Sequence, residues 1–264
     1  MNDEALLELA LGLAARAGET ILAVRARGFA TWRKADKSPV TEADRDSEAL
    51  ITAGLRSATP ELPVVAEEAV AAKRAPGAAD DFWCVDPLDG TREFTGGTDE
   101  FAVCIALVRG RRPVLGVVAE PVAKVFYAGI TGMGAFRRDA SGTRRIAARL
   151  PPAEGVVVTA SRRHGDNARL AAYLEGRRVA SRLELGSALK FCRIAEGVAD
   201  LYPRFGTTME WDTAAGQAIL EAAGGSVRVL EGAPAGGAMT AGAALTYAKP
   251  GWRNPHFLAC GRLA

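Results

Sequence analysis

Six residues constrain this chain more than any others: Asp86-Pro87-Leu88-Asp89-Gly90-Thr91. They follow a short apolar run, Phe82-Trp83-Cys84-Val85, that reads as a buried strand ending on an acid. Two carboxylates at that strand end are drawn together by a turn. Pro87 restricts the backbone, and Gly90 lets a main-chain amide approach a ligand closely. An Asp-Pro/Asp-Gly turn without function is the plain alternative, since both dipeptides are ordinary turn formers.

Further acids tilt the balance toward chemistry. Glu67 ends a second apolar run, 62–66, and strand ends are where ligand crevices form in layered sheets. Asp212, in Trp211-Asp212-Thr213-Ala214-Ala215-Gly216, stands where a helix should open, a place Asp also fills as a simple N-cap. If Glu67, Asp86, Asp89 and Asp212 converge, they repel one another severely unless cations are present. Oxygen donors without a paired His or Cys motif favour a hard cation such as Mg²⁺ over zinc.

The rest of the chain reads as α+β, with mixed layers of sheet and helix. Apolar residues at helical spacing predict a helix over 3–27, and a second runs from Asp44 to Ser57. Strands are expected at 101–108, 114–119, 124–130 and 134–137, with the basic turn Arg109-Gly110-Arg111-Arg112 exposed between the first two. Pro151-Pro152 is the natural boundary. It separates an N-terminal α+β metal-binding half, 1–150, from a C-terminal α/β substrate-binding half, 151–264, within one compact unit. Beyond it a strand at 156–159, helices near 166–175 and 187–197, and a helix opening at Asp212 are expected.

Composition excludes several classes. With 48% hydrophobic and 24% charged residues over 264 positions, the chain can bury a core and is not disordered. A net charge of +2 with dispersed Lys and Arg does not make a nucleic-acid surface. Cys84, Cys104, Cys192 and Cys260 are far apart, which predicts buried reduced thiols. An acidic start and the lack of any apolar run of about 18 residues predict a cytoplasmic protein, with peripheral contact at the inner membrane left open.

Together, Ala66-Glu67-Glu68, the 86–91 segment and the 211–216 segment resemble the inositol monophosphatase superfamily of lithium-sensitive, magnesium-dependent phosphatases. The similarity spans nearly the whole chain, with the motifs in order, and implies that family's layered αβαβα sandwich. Within it the chain is most similar to the bacterial 3′(2′),5′-bisphosphate nucleotidases. That likeness is carried by Ser38-Pro39-Val40-Thr41-Glu42-Ala43-Asp44, by Thr91-Arg92-Glu93-Phe94, by 186–192 and by Asp200-Leu201-Tyr202-Pro203-Arg204-Phe205-Gly206.

The resemblance implies two to three Mg²⁺ ions. Glu67, Asp86 and the Leu88 carbonyl would hold the first, and Asp86, Asp89 and Asp212 the second, with a weaker third near Glu67. Asp44 and Thr91 would orient the attacking water, with Glu67 counted among the catalytic groups and Glu68 supporting a ligand or a metal-bound water. Alone, Asp44 also reads as a helix N-cap. The amides of Gly90 and Thr91 would meet phosphate oxygens. Ser161, His164, Gly186, Ser187, Lys190 and Arg204 would shape the substrate side, with Lys190 and Arg204 on the phosphate that is not cleaved. His256 reads as structural.

The expected substrate is then a phosphorylated nucleotide, adenosine 3′,5′-bisphosphate, linked to sulfate assimilation. An inositol-1-phosphatase or broad sugar phosphatase is the alternative, and a regulatory anion-binding protein on the same scaffold is the non-enzymatic one. A homodimer is compatible with all three. One departure from the nucleotidase pattern, Thr95-Gly96-Gly97-Thr98-Asp99-Glu100-Phe101, replaces a usual basic residue and Asn-Gly-Glu-Phe and bears on substrate choice.

Overall fold

Helix α1 (Asp3–Arg27) forms where the periodicity places it, because Leu6, Ala10, Leu13, Ala17, Ile21 and Val24 recur every three or four residues and all are buried. Asn2 caps it by accepting from the Ala5 amide at 2.9 Å. The computed structural model describes every residue except 36, 78, 163–165, 233–239 and 263–264. Strands β1 (Thr31–Arg33) and β2 (Pro39–Thr41) pair antiparallel and lead directly into α2 (Glu42–Ala58). The sequence pattern starts α2 at Asp44; the structure starts it at Glu42. Thr41 is the cap, and Asp44 closes a capping box back onto it.

The first sheet follows: β3 (Val64–Ala66), then α3 (Glu67–Ala71), β4 (Phe82–Asp89), α4 (Thr91–Thr95), β5 (Ala102–Arg109), β6 (Arg112–Glu120), β7 (Val125–Ile130), β8 (Gly134–Asp139) and β9 (Gly142–Ile146). Its seven strands lie in sequence order, antiparallel except for the parallel pair β3–β4. Strand β4 runs past the expected end at Val85 to Asp89, with a shift of register between Asp86 and Asp89. Pro87 has no amide to give the ladder, so the chain bulges there instead of stopping.

The second sheet is built from β10 (Val156–Ser161), β11 (Val179–Leu185), β12 (Leu201–Arg204), β13 (Ser226–Glu231), β14 (Thr240–Ala244) and β15 (Phe257–Cys260), in the order β11-β10-β12-β15-β13-β14. Between them lie α5 (Asn167–Leu174), α6 (Leu189–Ala195) and α7 (Ala214–Ala222). Helix α7 opens two residues after the expected Asp212, with Thr213 at its cap position.

Side-chain alternation along β4 sorts the layers. Trp83 and Val85 pack with α1 and α2, while Phe82 and Cys84 pack with residues of α6, α7 and the second sheet. Helix α5 covers the far face of the second sheet through Leu170, Tyr173 and Leu174. The result is α+β in five layers, αβαβα, as expected. All four cysteines are buried and free.

The 109–112 turn is less solvated than expected. Arg109 bonds Asp3 at 2.7 Å, Arg111 donates to the Tyr247 carbonyl at 3.1 Å, and Arg112 pairs with Glu221 at 3.0 Å. Among the described residues, no helix is long and apolar enough to cross a membrane.

Candidate active site

The capping box that opens α2 also holds the site's best-anchored carboxylate. Asp44 is fully buried, and its Oδ2 accepts from both the amide and the hydroxyl of Thr41 at 2.7 Å. Its Oδ1 accepts from the Thr91 hydroxyl at 2.8 Å, a reach across 47 positions of sequence. Burial pushes the Asp44 carboxyl above its ordinary range, against the pull of those hydrogen bonds. Thr91 has one hydroxyl hydrogen. Its shorter contact is to Asp44, with the Leu88 carbonyl at 3.2 Å, so its oxygen keeps lone pairs for another donor. Asp44 is therefore not the N-cap its sequence position suggests: Thr41 takes that place, and Asp44, three residues on, closes the capping box while also holding Thr91.

Thr91 begins α4 directly after Gly90, whose φ of 97° is the left-handed turn the bulged strand needs to enter a helix. That turn brings Asp86, Asp89 and Thr91 to one cavity of about 430 Å³. Glu67 reaches the same cavity from the start of α3, and Asp212 from the turn before α7. Asp212 is not the N-cap of α7; its Oδ2 accepts from the Met209 amide at 2.8 Å.

Electrostatics at this end are unfavourable in the bare chain. Burial pushes Asp86 well above the usual carboxylate range, and Glu67, Asp89 and Asp212 push it further. Burial does the same to Asp212, helped by Asp89 and Glu67. Asp89 is raised to about 6 by burial, with Lys190 opposing. A cation among them would relieve all three.

Among the described residues, no three acidic, His or Cys side chains close on one point as a finished metal cage. Mg²⁺ does not need one, since it keeps waters and takes only one or two carboxylates with substrate oxygens. The fit has a second indication. The Lys34 ammonium already sits against Glu67 Oε1 at 2.7 Å and against Glu68, so a cation is stabilised at this spot. Burial alone would lower Lys34, but the two carboxylates hold it above its ordinary value. Glu68 is raised to about 7 by burial, and its amide donates to Glu48 at 2.6 Å.

The opposite end of the cavity is basic. Lys190, on α6, is 3% exposed and donates to the carbonyls of Ser187 at 2.6 Å and Leu185 at 3.2 Å. Burial lowers it to about 8 although Asp89 pulls the other way. Arg204 ends β12, is 7% exposed, and donates to the Thr207 carbonyl at 3.1 Å. Ser161, Gly186 and Ser187 line the same cavity. Gly186 must be glycine: a Cβ there would lie 2.6 Å from the Glu100 carbonyl oxygen. Two hydrogen bonds tie the ends together. The Ala188 amide donates to Asp89 at 2.5 Å, and the Gly186 amide to Glu100 at 2.9 Å.

The cavity thus gathers the acids, Leu88, Gly90, Thr91, Ser161, Gly186, Ser187, Lys190 and Arg204. His164 lies outside the described residues. His256 is placed away from the cavity, 2.9 Å from Arg169 and edge-on to Phe205. Sequence reasoning missed Lys34 and Arg162, and touched Glu100 only within the 95–101 departure. Arg162 lines the cavity and pairs with Glu100 at 2.8 Å. A lone lysine in a polar stretch carries no signal, whereas Arg162 directly follows a strand that ends at Ser161, a position that could have drawn notice.

The chain is similar to known proteins along most of its length. A model of the inositol monophosphatase family matches residues 2–256. The 3′(2′),5′-bisphosphate nucleotidase CysQ of Salmonella typhimurium strain LT2 is 43% identical over 231 residues, covering 86% of this chain and 92% of that protein. CysQ of Escherichia coli strain K12 is 41% identical over 233 residues, covering 87% and 92%. Among solved structures, CysQ from Bacteroides thetaiotaomicron superposes with a TM-score of 0.79 at 34% identity, covering 99% of each chain. Mycobacterium tuberculosis SuhB superposes with a TM-score of 0.72 at 27% identity, covering 98% of this chain and 91% of that one.

Proposed function

This chain belongs to the inositol monophosphatase family, and we propose that it is a bisphosphate nucleotidase that removes the 3′-phosphate of adenosine 3′,5′-bisphosphate to give AMP and phosphate. One observation carries the reading: a single cavity is acidic at one end and presents the buried cations Lys190 and Arg204 at the other. A substrate matched to both ends carries one phosphate to be cleaved and a second to be held by Lys and Arg. The relatives named as 3′(2′),5′-bisphosphate nucleotidases support the same choice. 3′-Phosphoadenylyl sulfate has the same polarity and is a second substrate. The enzyme would work in the cytoplasm, clearing a by-product of sulfate assimilation.

Mg²⁺ suits the donors. Glu67, Asp86 and the Leu88 carbonyl would hold one ion, and Asp86, Asp89 and Asp212 another, with Asp86 shared; a third near Glu67 would take the place of the Lys34 ammonium. Bound there, the metal neutralises phosphate charge and makes a water more acidic. The chain's own residues supply the rest. Asp44 takes the Thr91 hydroxyl hydrogen, which leaves the Thr91 oxygen to accept from the attacking water and aim it at phosphorus. Burial raises the proton affinity of Asp44 and so suits it to receive, through the Thr91 hydroxyl, the proton that the water loses. The Gly90 and Thr91 amides would bond the phosphate oxygens. The water oxygen joins phosphorus as the bond to the 3′-oxygen breaks, and that oxygen takes a proton from solvent and leaves as the ribose hydroxyl. Lys190 and Arg204 hold the 5′-phosphate throughout.

The test is a phosphate-release panel with Mg²⁺ on adenosine 3′,5′-bisphosphate, inositol 1-phosphate and fructose 1,6-bisphosphate. The nucleotide should give the highest kcat/KM. Preference for either of the other two would overturn the substrate and leave the phosphatase class standing.

A further inference from the structure

A second concavity, of about 970 Å³, shares Lys34 with the active cavity's surroundings but opens over a different surface. One wall is the outward face of α2, where Arg45, Ala49, Thr52 and Arg56 follow one another at helical spacing. Facing it are Arg33, at the end of β1, and Arg74, after α3. Alanines, Ala49, Ala53 and Ala72 among others, line it between them and add no bulk.

The groove's two carboxylates are already engaged. Glu48 accepts from the Glu68 amide at 2.6 Å, and Glu68 pairs with Lys34. Among the described residues, none of the four arginines forms an ion pair with a carboxylate. Arg45 lies over the Trp32 ring at 4.4 Å, which fixes one cation in place. Unneutralised guanidiniums around a concavity focus positive potential in it. Their planar forks match phosphate oxygens, and four of them exceed what a single phosphate can engage.

We propose that this groove is a second ligand site, distinct from the substrate cavity, that binds a small anion carrying two or more linked phosphates. Its walls come from β1, α2 and the segment after α3, none of which supplies Lys190 or Arg204, so the two sites can be emptied separately. Isothermal titration of metal-free protein with inorganic tripolyphosphate tests this. Wild type binds, the R45Q/R56Q double variant weakens binding by about tenfold or more, and R74Q, on the facing wall, weakens it by about threefold or more. R204Q removes at most a separate component, from the substrate cavity, and leaves the one weakened in R45Q/R56Q unchanged. Arg45 and Arg56 are exposed, so the double variant should keep wild-type Mg²⁺-dependent phosphate release, which verifies that it is folded. Absence of binding to wild type would make the groove a solvated basic face and overturn the proposal. So would loss of binding in R204Q alone, which would place the anion in the substrate cavity.

Discussion

The two ends of the active cavity steady their buried charges in opposite ways. At the acidic end the three aspartates each accept from one main-chain amide: Asp86 from Leu88, Asp89 from Ala188, Asp212 from Met209. Each keeps an oxygen for a ligand. At the basic end Lys190 and Arg204 donate to main-chain carbonyls at 185, 187 and 204's near neighbour Thr207. The first arrangement leaves repulsion that only a cation removes. The second holds two buried cations against main-chain carbonyls at the cavity wall. Chemistry and selection therefore rest on different groups, which meet where the Ala188 amide bonds Asp89 and where Lys190 and Arg204 act on Asp89 and Asp212 through space.

Changes at the acidic end should cost most. Asp86→Asn should lower kcat by about 10³-fold or more on every substrate, because it strikes both metal positions at once. The same variant should melt at a higher temperature than wild type in chelator, since one of the repelling buried acids is gone. Thr91→Val should lower kcat by about 10²- to 10⁴-fold with little change in KM, as expected for lost orientation of the nucleophile. If either variant lost only affinity, the division between the two ends would fail.

Changes at the basic end should be smaller and selective. Lys190 is held down to about 8, so its charge is complete below that value and is lost as pH rises through it. The kcat/KM for the bisphosphate should fall across about pH 8 to 9 more steeply than that for a monophosphate, measured as paired pH profiles. Smallest of all, Glu100→Gln should reduce kcat/KM for the bisphosphate by about 3- to 10-fold, because it loosens the Gly186 amide and Arg162 without touching the acids.

Legibility in the sequence followed the same division. The acidic end was readable because Asp86, Asp89, Gly90 and Thr91 lie on one short segment whose strand, bulge and turn are local consequences of Pro87 and Gly90. Short apolar runs bounded by turn residues also made β3 to β8 readable, though not β9 (Gly142–Ile146), whose residues are mostly exposed. The partnership of Asp44 with Thr91 came from the family resemblance, whereas the cap itself lies three residues before the position the sequence suggests, because Thr41 and Asp44 are both good cap residues. Lys34 escaped notice, and Glu100 was noticed only as part of the 95–101 departure, because their partners, Glu67 and Gly186, are brought to them by packing of separate layers. The same reason hid the shift of α7 from Asp212 to Ala214: the Met209 amide claims the Asp212 carboxylate, and a helix start has no sequence mark for that.

The central claim is that Arg204 and Lys190 select the second phosphate while the acidic end does the hydrolysis. Adenosine 3′,5′-bisphosphate and adenosine 3′-monophosphate share a leaving group and differ only in the 5′-phosphate, so their kcat/KM ratio isolates selection. Arg204→Gln should reduce that ratio by about tenfold or more while leaving kcat for the monophosphate near wild type. A ratio unchanged by the substitution would contradict the account.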